Sequence, residues 1–124
     1  MTDAGLPRRV AKPWGEELIW ALTDRYCGKR ITIETGKRLS LQAHERKDEW
    51  VFVLSGRLRL HLEDDEGVVQ IVELESGESR HVPVGRRHRF EAAERVELIE
   101  VSTPELDDVI RFEDDFGREG TSAP

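Results

Sequence analysis

Between Glu17 and Val101 the sequence is cut into short apolar or alternating runs by glycines, prolines and charged turns, and helix signals are almost absent. Such a pattern calls for strands, because alternation places every second side chain on one face of a pleated ribbon. Nine strands are expected, over residues 18–22, 29–35, 38–43, 50–54, 57–62, 68–74, 80–83, 88–92 and 96–101. So many short strands in so little chain make an all-β sandwich or barrel. Leu58, Leu60 and Leu62 should share one face, with Arg57, Arg59 and His61 on a solvated or dimer-facing one, and the acidic turn at 64–67 should close an antiparallel hairpin onto Val68.

A chain of 124 residues fits a single domain. The barrel core is expected over about 17–101, with 1–16 and 102–124 peripheral and the tips 1–12 and 117–124 mobile. The segment 103–116 mixes acids with Leu106, Val109, Ile110 and Phe112, as a short helix or an edge segment would. A net charge of −7 gives no global field for nucleic acid or an anionic membrane. Cys27 is the only cysteine, so no intrachain disulfide forms, and no apolar run approaches a membrane span. The N-terminus lacks the apolar core of a secretory signal, and a cytoplasmic protein is expected.

Chemistry concentrates in two stretches. In the first, 36–56, Ser40, Gln42 and His44 project from one face of a strand and Leu39, Leu41 and Ala43 from the other; after a charged turn, Glu49 opens the next strand. If the two strands are antiparallel neighbours, Glu49 returns to the level of His44. In the second, 77–90, Pro83 and Gly85 make a turn and His88 starts the strand beyond it. Two imidazoles, a carboxylate and an amide oxygen make an open site for one divalent ion: zinc, iron, manganese or nickel. A structural hydrogen-bond cluster is the competing reading, and Gln42 can serve either as ligand or as partner to a bound water. Trp14 and Trp50 are read as packing residues; His61 and His81 as structural, His81 being the closer to the cavity.

The spacing Gly36, Gln42, His44, Glu49, Gly56 resembles the first cupin motif, with glutamine where many cupins have a histidine, and Gly77, Pro83, Gly85, His88 resembles the second. Ala92 stands where the second motif usually has asparagine. Lys12-Pro-Trp-Gly15, Leu39-Ser-Leu-Gln42, His88-Arg89 and the run from Arg111 to Arg118 make the chain similar to the mannose-6-phosphate isomerase group of cupins. The resemblance implies a jelly-roll barrel, the cupin double-stranded β-helix, and a metal, usually zinc, on Gln42, His44, Glu49 and His88. It also implies a sugar phosphate as substrate, and a homodimer through edge strands. The segment from Glu45 to Lys47 departs from the family pattern, and no glycine-rich nucleotidyltransferase half is present, as in the small standalone proteins named after the isomerase.

Three functions follow as expectations. The first is a metal-dependent aldose–ketose isomerase with Glu49 or Lys47 as base and with Ser40, Arg38 and Arg89 on the substrate. The second is a non-enzymatic module that binds a sugar or organic acid. The third, disfavoured by Gln42, is an iron-dependent oxygenase. The cations Lys37, Arg38, Arg46, Lys47, Arg86, Arg87 and Arg89 crowd the two motifs, either to hold a phosphate or carboxylate or as solvated surface charge. Strand parity aims Arg89 away from His88, against the role the resemblance gives it.

Overall fold

A computed structural model describes residues 5–120, and every regular element in them is a strand. The strands are β1 (Arg8–Lys12), β2 (Gly15–Leu22), β3 (Cys27–Ile33), β4 (Leu41–Ala43), β5 (Glu49–Glu63), β6 (Val69–Glu75), β7 (Ser79–Val82), β8 (His88–Ser102) and β9 (Ile110–Glu113). All pairings are antiparallel. The C-terminal half of β8 pairs with β3 and with the start of β5, in a layer completed by β2, β1 and β7. The N-terminal half of β8 pairs with β4 and with the end of β5, in a layer completed by β9 and β6. This is the cupin jelly roll, with β5 and β8 passing from one layer to the other.

The bend in these two strands shapes everything else. Glu49 pairs with Ser102 and Leu62 with His88, so Glu49 and His88 begin opposite ends of one ribbon. At the usual rise those ends would lie roughly 43 Å apart if the ribbon were straight. It is not straight: the register shifts between Val53 and Leu58. There Gly56 adopts φ 84°, and a Cβ on it would sit 2.0 Å from the carbonyl oxygen of Arg95. Only glycine allows that crossing of backbones. Because the chain bends here without reversing, the two strands expected at 50–54 and 57–62 are one, as are those at 88–92 and 96–101.

The concave side holds the core. Val51, Val53, Leu58, Leu60, Val96 and Leu98 are fully buried there, packed with Ile31, Ile33, Phe90 and Trp14. Alternation thus places Leu58 and Leu60 as the sequence indicates, each contributing about 1.5–3 kcal/mol by burial. Leu62 packs against the same cluster. Arg57 and Arg59 face outward to Glu75 and Glu73.

Two expectations about the ends change. Residues 8–12, read as part of a mobile tip, form the edge strand β1, paired with β2 from Arg8↔Ile19 to Lys12↔Gly15. The segment 103–116 contains the edge strand β9, on β4, and no helix. For residues 1–4 and 121–124 the expected mobility lies outside the described residues. No helix among the described residues is long and apolar enough to cross a membrane.

Candidate metal centre

Register alone brings most of the site together. Gln42 on β4 pairs with His88 on β8, so their side chains leave the sheet on the same face. His44 follows β4, and Glu49 is carried in from the far end of the ribbon by the bend. The ligand atoms of His44, Glu49 and His88 all lie within 4.8 Å of one another, and all three residues are buried. Glu49 Oε1 is 3.0 Å from Nε2 of each histidine.

The other ring nitrogens are committed. His44 Nδ1 donates to the carbonyl of Asp108 at 2.5 Å, and His88 Nδ1 to the carbonyl of Arg86 at 2.9 Å. A neutral imidazole that donates from Nδ1 leaves Nε2 as a bare lone pair. With both imidazoles neutral, as metal ligands must be, two such lone pairs face one carboxylate oxygen, and His88 Nε2 is buried with no hydrogen bond. Three electron-rich atoms this close repel unless positive charge sits among them. Ligands of a tetrahedral ion at ~2.1 Å lie roughly 3.4 Å apart, near the observed 3.0 Å. The residues fit a divalent cation, with backbone carbonyls orienting both histidines as outer partners of metal ligands do.

Asp108 does more than accept from His44. Its carboxylate takes the backbone N–H groups of Glu45, Arg46 and Lys47 at 2.7–3.0 Å, which fixes the turn and sends Lys47 inward. Lys47 Nζ lies 3.4 Å from Glu100 Oε2 and 3.8 Å from Glu49 Oε2. Burial opposes its charge, but Glu100 and Glu49 more than offset that and raise its pKa. Burial would likewise raise Glu49, yet the Lys47 ammonium first, and Glu100 after it, hold it well below the carboxylate range. Burial, reinforced by the charge of Glu49, pushes Glu100 up to about 8.

Of these groups, His44, Lys47, Glu49 and Glu100 line one cavity of about 60 Å³, room for a few waters. Ser40, Gln42, His44, Lys47 and Glu49 line it, as the sequence indicates, and Ser40 Oγ donates to Gln42 Oε1 at 3.4 Å. Arg38 and Arg89 do not. Arg38 forks onto Asp115 at 2.8 and 2.9 Å, and Arg89 donates to the carbonyl of Leu39 at 3.0 Å; parity in β8 turns it away from His88, and it is buried on the other side. His81 also points outward, to Asp48 and onto the ring of Trp50. Trp50 takes the face opposite Glu49, but at 48% exposure it is a surface residue and not a core anchor; Trp14 is the buried one.

The sequence reading misses the remaining polar wall: Lys12, Glu17, Lys29, Glu100, Arg111 and Arg118. Lys29 shares a face with Ile31 and Ile33, and Glu100 with Leu98 and Val96, so parity within the two strands was the available signal.

Comparison with known proteins agrees with this architecture. A family model described as Mannose-6-phosphate isomerase C-terminal matches residues 2–114. The xanthan biosynthesis protein XanB of Xanthomonas campestris pv. campestris (strain B100) is 34% identical over 122 residues, 94% of this chain and 25% of that protein. Mannose-1-phosphate guanylyltransferase of Escherichia coli (strain K12) is 37% identical over 116 residues, 90% of this chain and 23% of the enzyme. The chain spans about a quarter of the length of these relatives. Among solved structures, KdgF from Halomonas sp. superposes with a TM-score of 0.68 at 23% identity, covering 77% of this chain and 83% of KdgF. Oxalate decarboxylase from Bacillus subtilis gives 0.76 at 16% identity, covering 86% of this chain and 30% of that one. At these identities the two structures speak for the fold alone.

Proposed function

The chain belongs to the mannose-6-phosphate isomerase C-terminal family of cupins, and from that membership we propose that it is a metal-dependent protein of sugar-phosphate chemistry, interconverting an aldose and a ketose phosphate. The observation that carries the reading is the convergence of two committed histidines on Glu49 Oε1 in a buried pocket. His44, Glu49 and His88 would hold the ion, with Gln42 beside them as fourth ligand. Zinc is the first choice for two nitrogens and two oxygens, with iron, manganese and nickel as alternatives. When bound, the ion supplies a Lewis acid that polarises a carbonyl and its neighbouring hydroxyl.

The chain's own groups divide the remaining work. Glu49 Oε2 faces Lys47 and is the atom assigned to carry a proton between adjacent carbons of the substrate. Lys47, held between two carboxylates, acts as a cation that balances charge developing on a substrate oxygen. The sequence offers Lys47 as an alternative base; its ion pairs favour the protonated form, which donates. Ser40 and Gln42 face the same space and orient hydroxyl groups.

The departure of the Glu45–Lys47 segment from the family pattern favours a second reading, a module that holds a sugar or organic acid without turning it over. Metal content by elemental analysis, with mannose 6-phosphate and fructose 6-phosphate followed by NMR, separates the two. Interconversion supports the isomerase; a full zinc site with no interconversion refutes it and leaves the binding module. A homodimer belongs to the same proposal, supported by the exposed Trp50, Phe52, Leu54 and Val101 on the outer faces of the neighbouring strands β5 and β8.

A further inference from the structure

The run between β8 and β9 forms one wall of the metal centre. Thr103 fastens one end of it, donating its backbone N–H to the Asp48 carbonyl at 3.0 Å and accepting the Asp48 N–H on Oγ1 at 3.0 Å. Asp108 fastens the other, through the three N–H groups of the turn at 45–47 and through the carbonyl that takes His44 Nδ1. Both anchors therefore grip the turn that joins His44 to Glu49. Between them the backbone bonds locally: the Leu106 N–H donates to the Pro104 carbonyl at 2.8 Å, and the Asp108 N–H to the Glu105 carbonyl at 3.3 Å.

Leu106 and Val109 are shared walls, lining the metal cavity on one side and, on the other, a groove of about 700 Å³. The charged lining of the groove is Glu45, Glu105, Asp107 and Asp108 against Arg46. A concave surface dominated by one sign of charge concentrates counter-ions, so divalent cations gather across a thin partition from Glu49 and the two imidazoles. Val109 is buried at 7% exposure beside the Asp108 anchor; Leu106 stands mid-span and is part-buried. A short span held at both ends, with one apolar side chain between two spaces, has the geometry of a gate whose terminal residues absorb the dihedral change.

We propose that residues 104–107 gate the loading of the metal centre: a divalent cation collects in the acidic groove and passes inward when the span swings about Thr103 and Asp108 and withdraws Leu106. The proposal rests on the metal reading for the destination of the ion, and on the two anchors and the shared wall for its route. Asp108 then has two duties, orienting His44 and holding the hinge. An ion on His44 fixes the ring that donates to the Asp108 carbonyl, so loading steadies the hinge behind it.

The test is stopped-flow zinc uptake by the metal-free protein and zinc release to a chelator, with the dissociation constant measured separately by competition. A gate lies on the path and in neither end state. Leu106→Ala should therefore raise both rates by about tenfold, a change that the lost contacts of one side chain at the barrier supply, and leave the dissociation constant alone. Leu106→Phe should slow both rates, and it covers the case in which the alanine variant folds poorly. Glu45→Gln combined with Asp107→Asn, both at exposed positions, should slow uptake severalfold at low salt and match the wild type once salt screens the groove. Zinc bound with equal rates in the wild type and both Leu106 variants overturns the gate, as does a Leu106→Ala change carried by release alone. No zinc bound at equilibrium is a different failure, which defeats the metal centre and the proposal with it.

Discussion

Gly56→Ala tests whether the ribbon bend builds the site. The residue sits at φ 84°, where a Cβ costs about 1–2 kcal/mol. Steric contact costs more: the new atom would stand 2.0 Å from Arg95 O and 2.8 Å from Val96 Cα, both backbone. Neither can swing aside, so β8 must retreat by roughly 1 Å at van der Waals distances, straining the ladder beside the bulge at about 1–3 kcal/mol. The lower conformational entropy of the unfolded chain with alanine returns about 0.4–1 kcal/mol. The net loss is about 2–4 kcal/mol, a drop in Tm of roughly 8–16 °C for a domain of this size. Gly77→Ala is the control, because Gly77 has φ 91° and nothing within 4 Å of an added Cβ, leaving only the dihedral cost. Urea or thermal melts of both variants measure the difference, and zinc titration reads the site. Gly56→Ala should also weaken zinc binding, since it relaxes the curl that brings Glu49 to His88, while Gly77→Ala should not. Equal stability loss in the two variants would refute the close approach of β5 and β8 as the cause, and unchanged zinc affinity would refute the link from bend to site.

Asp108→Ala removes the carboxylate that pins the Glu45–Lys47 turn; zinc affinity should fall by about 10–100-fold, measured by competition with a chelator. Asp114→Asn should cost about 1–3 kcal/mol at pH 7. Burial alone would raise the Asp114 carboxyl, but its bonds with Arg118 hold it below the ordinary range, so its contribution is complete above that range and lost as pH falls through the depressed value. Wild-type and variant melting temperatures should therefore differ most near neutrality and converge only as pH falls below the ordinary carboxylate range. If the proposed homodimer forms, Trp50→Glu should convert it to monomer in sedimentation velocity with little loss of stability, because Trp50 is half exposed; a wild-type monomer at micromolar concentration refutes the proposed dimer.

What the sequence discloses depends on how local its cause is. Alternation of Leu58 and Leu60, and the spacing of Gln42, His44, Glu49 and His88, express a two-residue period and a turn, and both survive folding. Ser55-Gly56 reads as a break between two strands because glycine serves turns and close crossings alike; only the partner backbone at Arg95 decides between them. The strand at Arg8–Lys12 hides for a different reason: an edge strand with one polar face carries little hydropathy signal. Charge misleads most. Arg38 and Arg89 sit beside the motifs, yet Asp115 and the Leu39 carbonyl claim them, while Lys29 and Glu100 turn inward because each offsets other charges within the cavity.

The curled ribbon also has a kinetic side. Its ends meet where β5 and β8 are paired along their length and bent, a closure between residues distant in sequence, whose entropy cost slows folding. A cation held by His44, Glu49 and His88 would then bind mainly after the rate-limiting step. Interactions absent from that transition state slow unfolding and leave folding speed unchanged. Zinc would act on this protein as a latch, lengthening the lifetime of the folded chain while doing nothing to hasten its arrival.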